Sequence, residues 1–253
     1  MSEKYSPGDP MRSAQKNMRP AVLKRFYAEA GVVVGPEGFA LQLDGRGART
    51  PAKNKLAFPT RALADLVARE WAGQGGTIDP STMPVTRIAN SAIDGVASAM
   101  KETRHELAGY VETDLLFYRV RTPEKLAAAQ AASYDPVLDW ASDTFGATFM
   151  LAEGIIHLRQ PERSVQAIKS ALDAVEGPFA LAALHVMATL TGSALVAPAV
   201  SRARLSADEA WRIAHVDEDF QISQWGEDDE AMARRAARWR EMAAAAQVAG
   251  ALR

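Results

Sequence analysis

Cysteine is absent from the 253 residues. That excludes disulfides, thiolate zinc sites and thiol nucleophiles together, and it fits a reducing compartment. Net charge is small: 29 Lys and Arg against 31 Asp and Glu leave -2, so no global field directs the chain to nucleic acid or a membrane surface. The N-terminus lacks the apolar core of a secretory signal. Residues 11–25 hold Arg12, Lys16, Arg19, Lys24 and Arg25 without an acid, faintly like an organellar presequence. Pro7, Gly8 and Pro10 precede them as breakers, and residues 1–24 read as a flexible tail. Catalytic signatures are missing too. There is no phosphate-cradling GxxxxGKS/T loop, Gly45-Arg46-Gly47 lacks the third glycine of a dinucleotide fingerprint, and Ser193 stands outside a GxSxG elbow. His105-Glu106 opens like a zinc-protease motif, but position 109 is Gly109. His105, His157, His185 and His215 are scattered and expected to be structural, and the acids between 217 and 230 do not follow calcium-loop spacing. No catalytic residue, metal site or cofactor is assigned.

Apolar residues, by contrast, make up 48% of the chain, enough for one large core or two modest ones. The stretch Phe179–Val200 is apolar or small at nearly every position; its polar members His185, Thr189, Gly192 and Ser193 fall on one narrow helical stripe. Such a helix must be wrapped on most sides, by lipid or by other helices. Its content of Ala, Gly and Thr, together with His185, weakens entry into lipid. We read it as the central helix of a soluble helical domain, started by Gly177-Pro178 and stopped or kinked near Pro198. There His185 is expected as a neutral imidazole bonded to a nearby backbone or hydroxyl group.

Toward the N-terminus the pattern is different. Val32–Val34, a Gly35-Pro36-Glu37-Gly38 turn and the alternating Phe39, Leu41 and Leu43 predict a hairpin. Asp44–Gly47 reads as a second turn, with Ala48–Thr50 returning as a strand. Thr60 then caps a helix over 61–74 whose Leu63, Leu66, Val67 and Trp71 share a face. Beyond residue 80 the chain reads as mostly helical. Ile88, Ala92, Val96 and Met100 run at one helical spacing, Tyr110–Val120 fits helix or strand, and Pro123–Phe145 is expected to break near Asp135-Pro136. A short apolar piece surrounds Ile155-Ile156, and a helix follows from Glu162 to about Val175. Ser206 with Glu209 has capping-box spacing, opening a helix with Ile213, Val216 and Phe220 as its apolar stripe until Trp225-Gly226. A last helix begins at Glu227–Glu230 with acids at its positive end and Arg234, Arg235, Arg238 and Arg240 further along. The expected fold is α+β: a small antiparallel β-rich domain over 25–80, then a larger α-helical domain over 81–253.

Charge is uneven. Residues 201–230 carry three Arg against nine acids, whereas 1–60 carry ten basic and five acidic side chains. Trp71, Trp140 and Trp211 sit beside apolar neighbours and are expected in the core; Trp225, among acids, suits the core or an exposed anchor equally.

Many short motifs recur in a familiar order. They are Leu43-Asp44-Gly45-Arg46, Arg49-Thr50-Pro51, Glu70-Trp71, Gln74, Met83-Pro84, Thr86-Arg87, Asn90 and Asp94, then Thr113–Arg119 around Asp114, Asp135-Pro136, Asp139-Trp140, Leu190–Ser193 and Asp217–Gln221 with Trp225-Gly226. Together, over about residues 25–230, they resemble the assembly chaperones of the F-type ATP synthase catalytic head, which hold the unassembled alpha subunit. The resemblance implies a non-enzymatic chaperone that uses no nucleotide, prevents aggregation of free alpha subunit and hands it to the beta subunit. Asp217, Glu218, Asp219, Gln221 and Trp225 become the expected client contacts, with Glu218 foremost, and Trp71, Asp44, Arg46, Asp114 and His185 the expected structural residues. A monomer is expected, in a bacterial cytoplasm or, in a eukaryote, the mitochondrial matrix. Two rival readings are an enzyme using the carboxylates at 217–230 with His215, and a stable accessory subunit.

Overall fold

The computed structural model of the protein describes residues 23–154 and 157–253; most of the expected tail and the Ile155-Ile156 piece lie outside them. Strand β1 (Leu23–Lys24) pairs antiparallel with β6 (Thr77–Ile78). The predicted hairpin is present: β2 (Ala30–Gly35) runs antiparallel to β3 (Gly38–Leu43), with Val32 opposite Leu41. Gly38, at φ 105°, is required at the turn, because a Cβ there would stand 2.3 Å from the Phe58 carbonyl oxygen. On the other side of β3 lie β4 (Arg46–Gly47) and β5 (Ala57–Phe58), completing a four-stranded antiparallel sheet. The returning strand is therefore earlier and shorter than expected. Residues 50–54 are instead clasped by Asp94, which accepts from the Thr50 hydroxyl at 2.6 Å, the Asn54 amide at 2.9 Å and the Ala52 N–H at 3.1 Å.

Helix α1 (Arg61–Ala72) has the predicted Thr60 cap and buries Leu63, Ala64 and Val67 against the sheet. Helix α2 (Pro84–Asp94) begins where the Glu70 carboxylate accepts the Val85 and Thr86 N–H groups at 2.8 and 2.7 Å. Those are two of the donors that a helix start leaves unpaired. Gly95 ends α2, so the run from Ile88 to Met100 is divided among α2, a 3-10 turn at Val96–Ser98 and α3 (Met100–Gly109). The ambiguous Tyr110–Val120 segment is mostly irregular. It holds a 3-10 turn at Leu115–Phe117 and β7 (Tyr118–Arg119), parallel to β8 (Ala152–Glu153).

Helix α4 (Glu124–Phe145) runs unbroken through Pro136, contrary to expectation. The carbonyl that loses its partner belongs to Ala132, and both residues are exposed, so solvent is free to take the place of the missing bond. After α5 (Glu162–Asp173) comes the central stretch, which is two helices rather than one: α6 (Pro178–Thr191) and α7 (Val196–Ser201). Gly192 adopts the left-handed conformation, φ 66°, and ends α6. Helices α8 (Ala207–Ala214), α9 (Val216–Trp225) and α10 (Asp229–Ala251) complete the chain.

Helix α6 packs against α2, α3, α7, α8 and α10, the wrapping its apolar circumference demands. The sheet joins the same core: Phe58 meets Phe179 at 5.7 Å, and the Thr60 hydroxyl donates to the Ala251 carbonyl at 2.7 Å. Among the described residues no helix is long and apolar enough to cross a membrane. The architecture is α+β, a small antiparallel sheet followed by a larger helical part.

Candidate functional site

The acidic helix α9 owes its position to local sequence. Both halves of the predicted capping box form at the start of α8: Ser206 Oγ accepts the Glu209 N–H at 3.2 Å, and the Glu209 carboxylate accepts the Ser206 N–H at 2.8 Å. His215 then interrupts what the apolar stripe suggested was one helix, so Ile213 lies on α8 while Val216 and Phe220 lie on α9. The interruption places Asp217, Glu218 and Asp219 in a first turn, where the helix dipole favours negative charge.

At about 100° per residue these side chains leave α9 in different directions. Val216 and Phe220 turn to the core. Asp217 faces α4, where it accepts from the Gln130 side-chain amide at 2.7 Å. Asp219 leaves on the opposite flank and is ion-paired with Arg235 of α10. Glu218, Gln221 and Trp225, at i, i+3 and i+7, share the outward side, and Trp225 is 81% exposed. The five expected contact residues thus separate into an outward stripe of three and two acids engaged within the fold.

Glu218 has His215 as its nearest basic neighbour, with Nε2 3.7 Å from its carboxylate. His215 is buried against Trp211, their ring centroids 3.8 Å apart, and its Nδ1 lies 2.8 Å from the Trp211 carbonyl. A carbonyl only accepts, so Nδ1 carries the proton. Burial moves the His215 pKa below the usual 6.5, so near neutrality Nε2 turns a lone pair toward Glu218. Among the described residues, no Lys or Arg pairs with Glu218. Gly226 closes α9 with φ 85°, and acids continue past Trp225 in the Asp228 cap and the Asp229 and Glu230 first turn of α10, although Glu230 is paired with Arg234.

The five expected structural residues are distributed through the fold. Asp44, at the β3–β4 turn, accepts the Ala28 N–H at 3.0 Å and the Glu29 N–H at 2.7 Å, which holds its pKa down. Arg46 is exposed on β4. Trp71 packs on Tyr27 at 5.6 Å, and with Phe26, Leu43 and Arg46 it lines a groove of about 530 Å³ beside the sheet. Asp114 is fully buried; it accepts from the Leu116 N–H, the Ser193 hydroxyl and the Leu195 N–H at 3.0, 2.8 and 3.1 Å, while burial pushes its pKa up to about 7. His185 differs from expectation, its Nε2 standing 3.1 Å from the exposed Glu106 carboxylate of α3 rather than against a backbone or hydroxyl group. Trp211 is buried and Trp140 partly so, stacking edge-on with Phe145 at 5.2 Å.

Sequence reasoning missed Gln130, the pairing of Arg235 with Asp219 and the capping role of Glu70. Glu70 stood inside a recognised motif, but no local pattern pairs it with residues 85 and 86. Among the described residues no group of three or more His, Asp or Glu side chains could hold a metal. The carboxylates at 217–219 diverge instead of converging, and His215 is covered by Trp211.

Residues 24–142 match the family model described as ATP12 chaperone protein. The crystal structure of Atp12 from Paracoccus denitrificans superposes with a TM-score of 0.85 and 38% identity, covering 91% of this chain and 99% of that one. The chain belongs to the ATP12 chaperone family. An aspartate-to-lysine mutant of the same Paracoccus protein matches at the same 38% identity. A crystal structure from Agrobacterium tumefaciens, provisionally described as a chaperone, is 45% identical over 98% of this chain and 93% of its own, with a TM-score of 0.89. The resemblance to ATP synthase assembly chaperones read from the sequence is upheld, and the acidic helix belongs to an ATP12-family chaperone.

Proposed function

We propose that the protein binds the free alpha subunit of the ATP synthase catalytic head, keeps it from aggregating and yields it to the beta subunit, using Glu218, Gln221 and Trp225 as contacts. The carrying observation is the outward stripe on α9, with a tryptophan 81% exposed two turns beyond a carboxylate that pairs with no Lys or Arg among the described residues. A subunit awaiting its partner exposes apolar surface that aggregates. A reversible holder needs an aromatic anchor with charge at its rim, and it must bind weakly enough to be displaced. In this reading the protein acts as a monomer, in bacterial cytoplasm or mitochondrial matrix, by binding alone and without nucleotide or catalysis.

Size-exclusion chromatography with each purified subunit tests the reading. Co-elution with alpha alone, lost when beta is added, is expected. Co-elution with neither subunit overturns it, and co-elution with the finished synthase favours a stable accessory subunit.

A further inference from the structure

We infer that Asp217 is a positioning residue, held by Gln130, that sets α9 at the angle which presents the outward stripe. The inference rests on the reading of that stripe as the client contact. Gln130 lies on α4 with 1% of its surface exposed, and both ends of its amide are engaged. Its oxygen accepts the Val120 N–H at 2.9 Å and its nitrogen donates to Asp217 at 2.7 Å. Neither end can be reversed, since the backbone N–H only donates and the carboxylate only accepts.

Helix α9 needs such a fastening. Val216 is its one buried residue, so apolar packing alone defines its orientation poorly. The Asp217–Gln130 contact fixes the α4 flank, and Asp219–Arg235 fixes the α10 flank. Through Val120 the first contact also reaches the segment that starts at Asp114, where the Ser193 hydroxyl ties it to the turn after α6. A polar path thus runs from the core turn to the acidic helix.

Exchanging donor and acceptor tests this. Asp217→Asn keeps an oxygen for Gln130 and removes only charge; it should leave alpha-subunit affinity within about twofold and amide exchange over residues 216–225 unchanged. Gln130→Glu sets two carboxylates face to face, and it should weaken affinity and speed exchange over 216–225 each about tenfold while exchange in α6 stays as before. Combining Gln130→Glu with Asp217→Asn restores the bond between the two side chains with its polarity inverted, while the Val120 N–H still donates to residue 130, and both readouts should return to near wild type. A tenfold loss of affinity in Asp217→Asn with normal exchange would place that charge on the client and overturn the inference. So would unchanged exchange in Gln130→Glu, or a folded double variant that fails to recover. The exchange measurement needs no client, so wild-type protein that ignored alpha subunit would sink the functional reading and leave the fastening to be judged by exchange alone.

Discussion

The side chains that resemblance singled out divide by what they touch. Asp44, Glu70, Asp94, Asp114 and Asp217 each engage groups within the fold, most of them backbone N–H groups at a turn or helix start. Asp114 is the most deeply committed. Its native pKa of about 7 lies above the ordinary carboxyl value, so between about pH 4 and 7 the folded state holds more protons than the unfolded one. Stability is therefore lost as pH rises through that window, by up to about 1.4 kcal/mol per pH unit from this group. Asp114→Asn should abolish that part of the slope. It should also cost about 2–4 kcal/mol, because the new NH₂ must face a backbone N–H that needs an acceptor. Urea denaturation of both proteins from pH 4 to 8 measures the two effects; equal slopes would contradict them. The exposed setting of Trp225 was legible from residue type as one of two readings, a tryptophan among polar neighbours. That Asp217 and Asp219 point elsewhere was not, because their partners stand 87 and 16 positions away.

At the scale of elements, local signals carried well and distant ones did not. The Thr60 cap, the Ser206–Glu209 box and the Gly226 stop are decided within four residues, and all three are where the sequence placed them. The proline rule failed at Pro136 because what matters is whether water reaches the carbonyl four residues earlier, a tertiary fact. Apolar periodicity likewise overran the helix ends at Gly95, Gly192 and His215, since a stripe can continue across two helices packed on one core. Helix α9 has one exposed side left for a partner, which yields a sharp expectation. Glu218→Lys and Trp225→Ala should each lower alpha-subunit affinity about tenfold or more, with thermal midpoints unchanged, as is usual when an exposed residue is replaced. Titration calorimetry beside thermal unfolding checks this; full affinity in both variants would remove the stripe from the interface.

For the whole molecule, the order of sheet followed by helices was visible in composition and periodicity, and the central role of the Phe179 stretch was visible in its lack of a polar face. The joining of the two parts through Phe58, Phe179, Thr60 and Ala251 was not, because it depends on residues far apart in sequence. What results is a sheet and a helical part that share one core, with the acidic helix α9 on the surface. The measurement that tests this most directly is light scattering of isolated alpha subunit diluted from denaturant, with and without the protein and with no ATP present. Suppressed scattering at a near-stoichiometric ratio, with alpha released on addition of beta, is the predicted result. Unchanged scattering in the presence of the correctly folded protein would contradict the account.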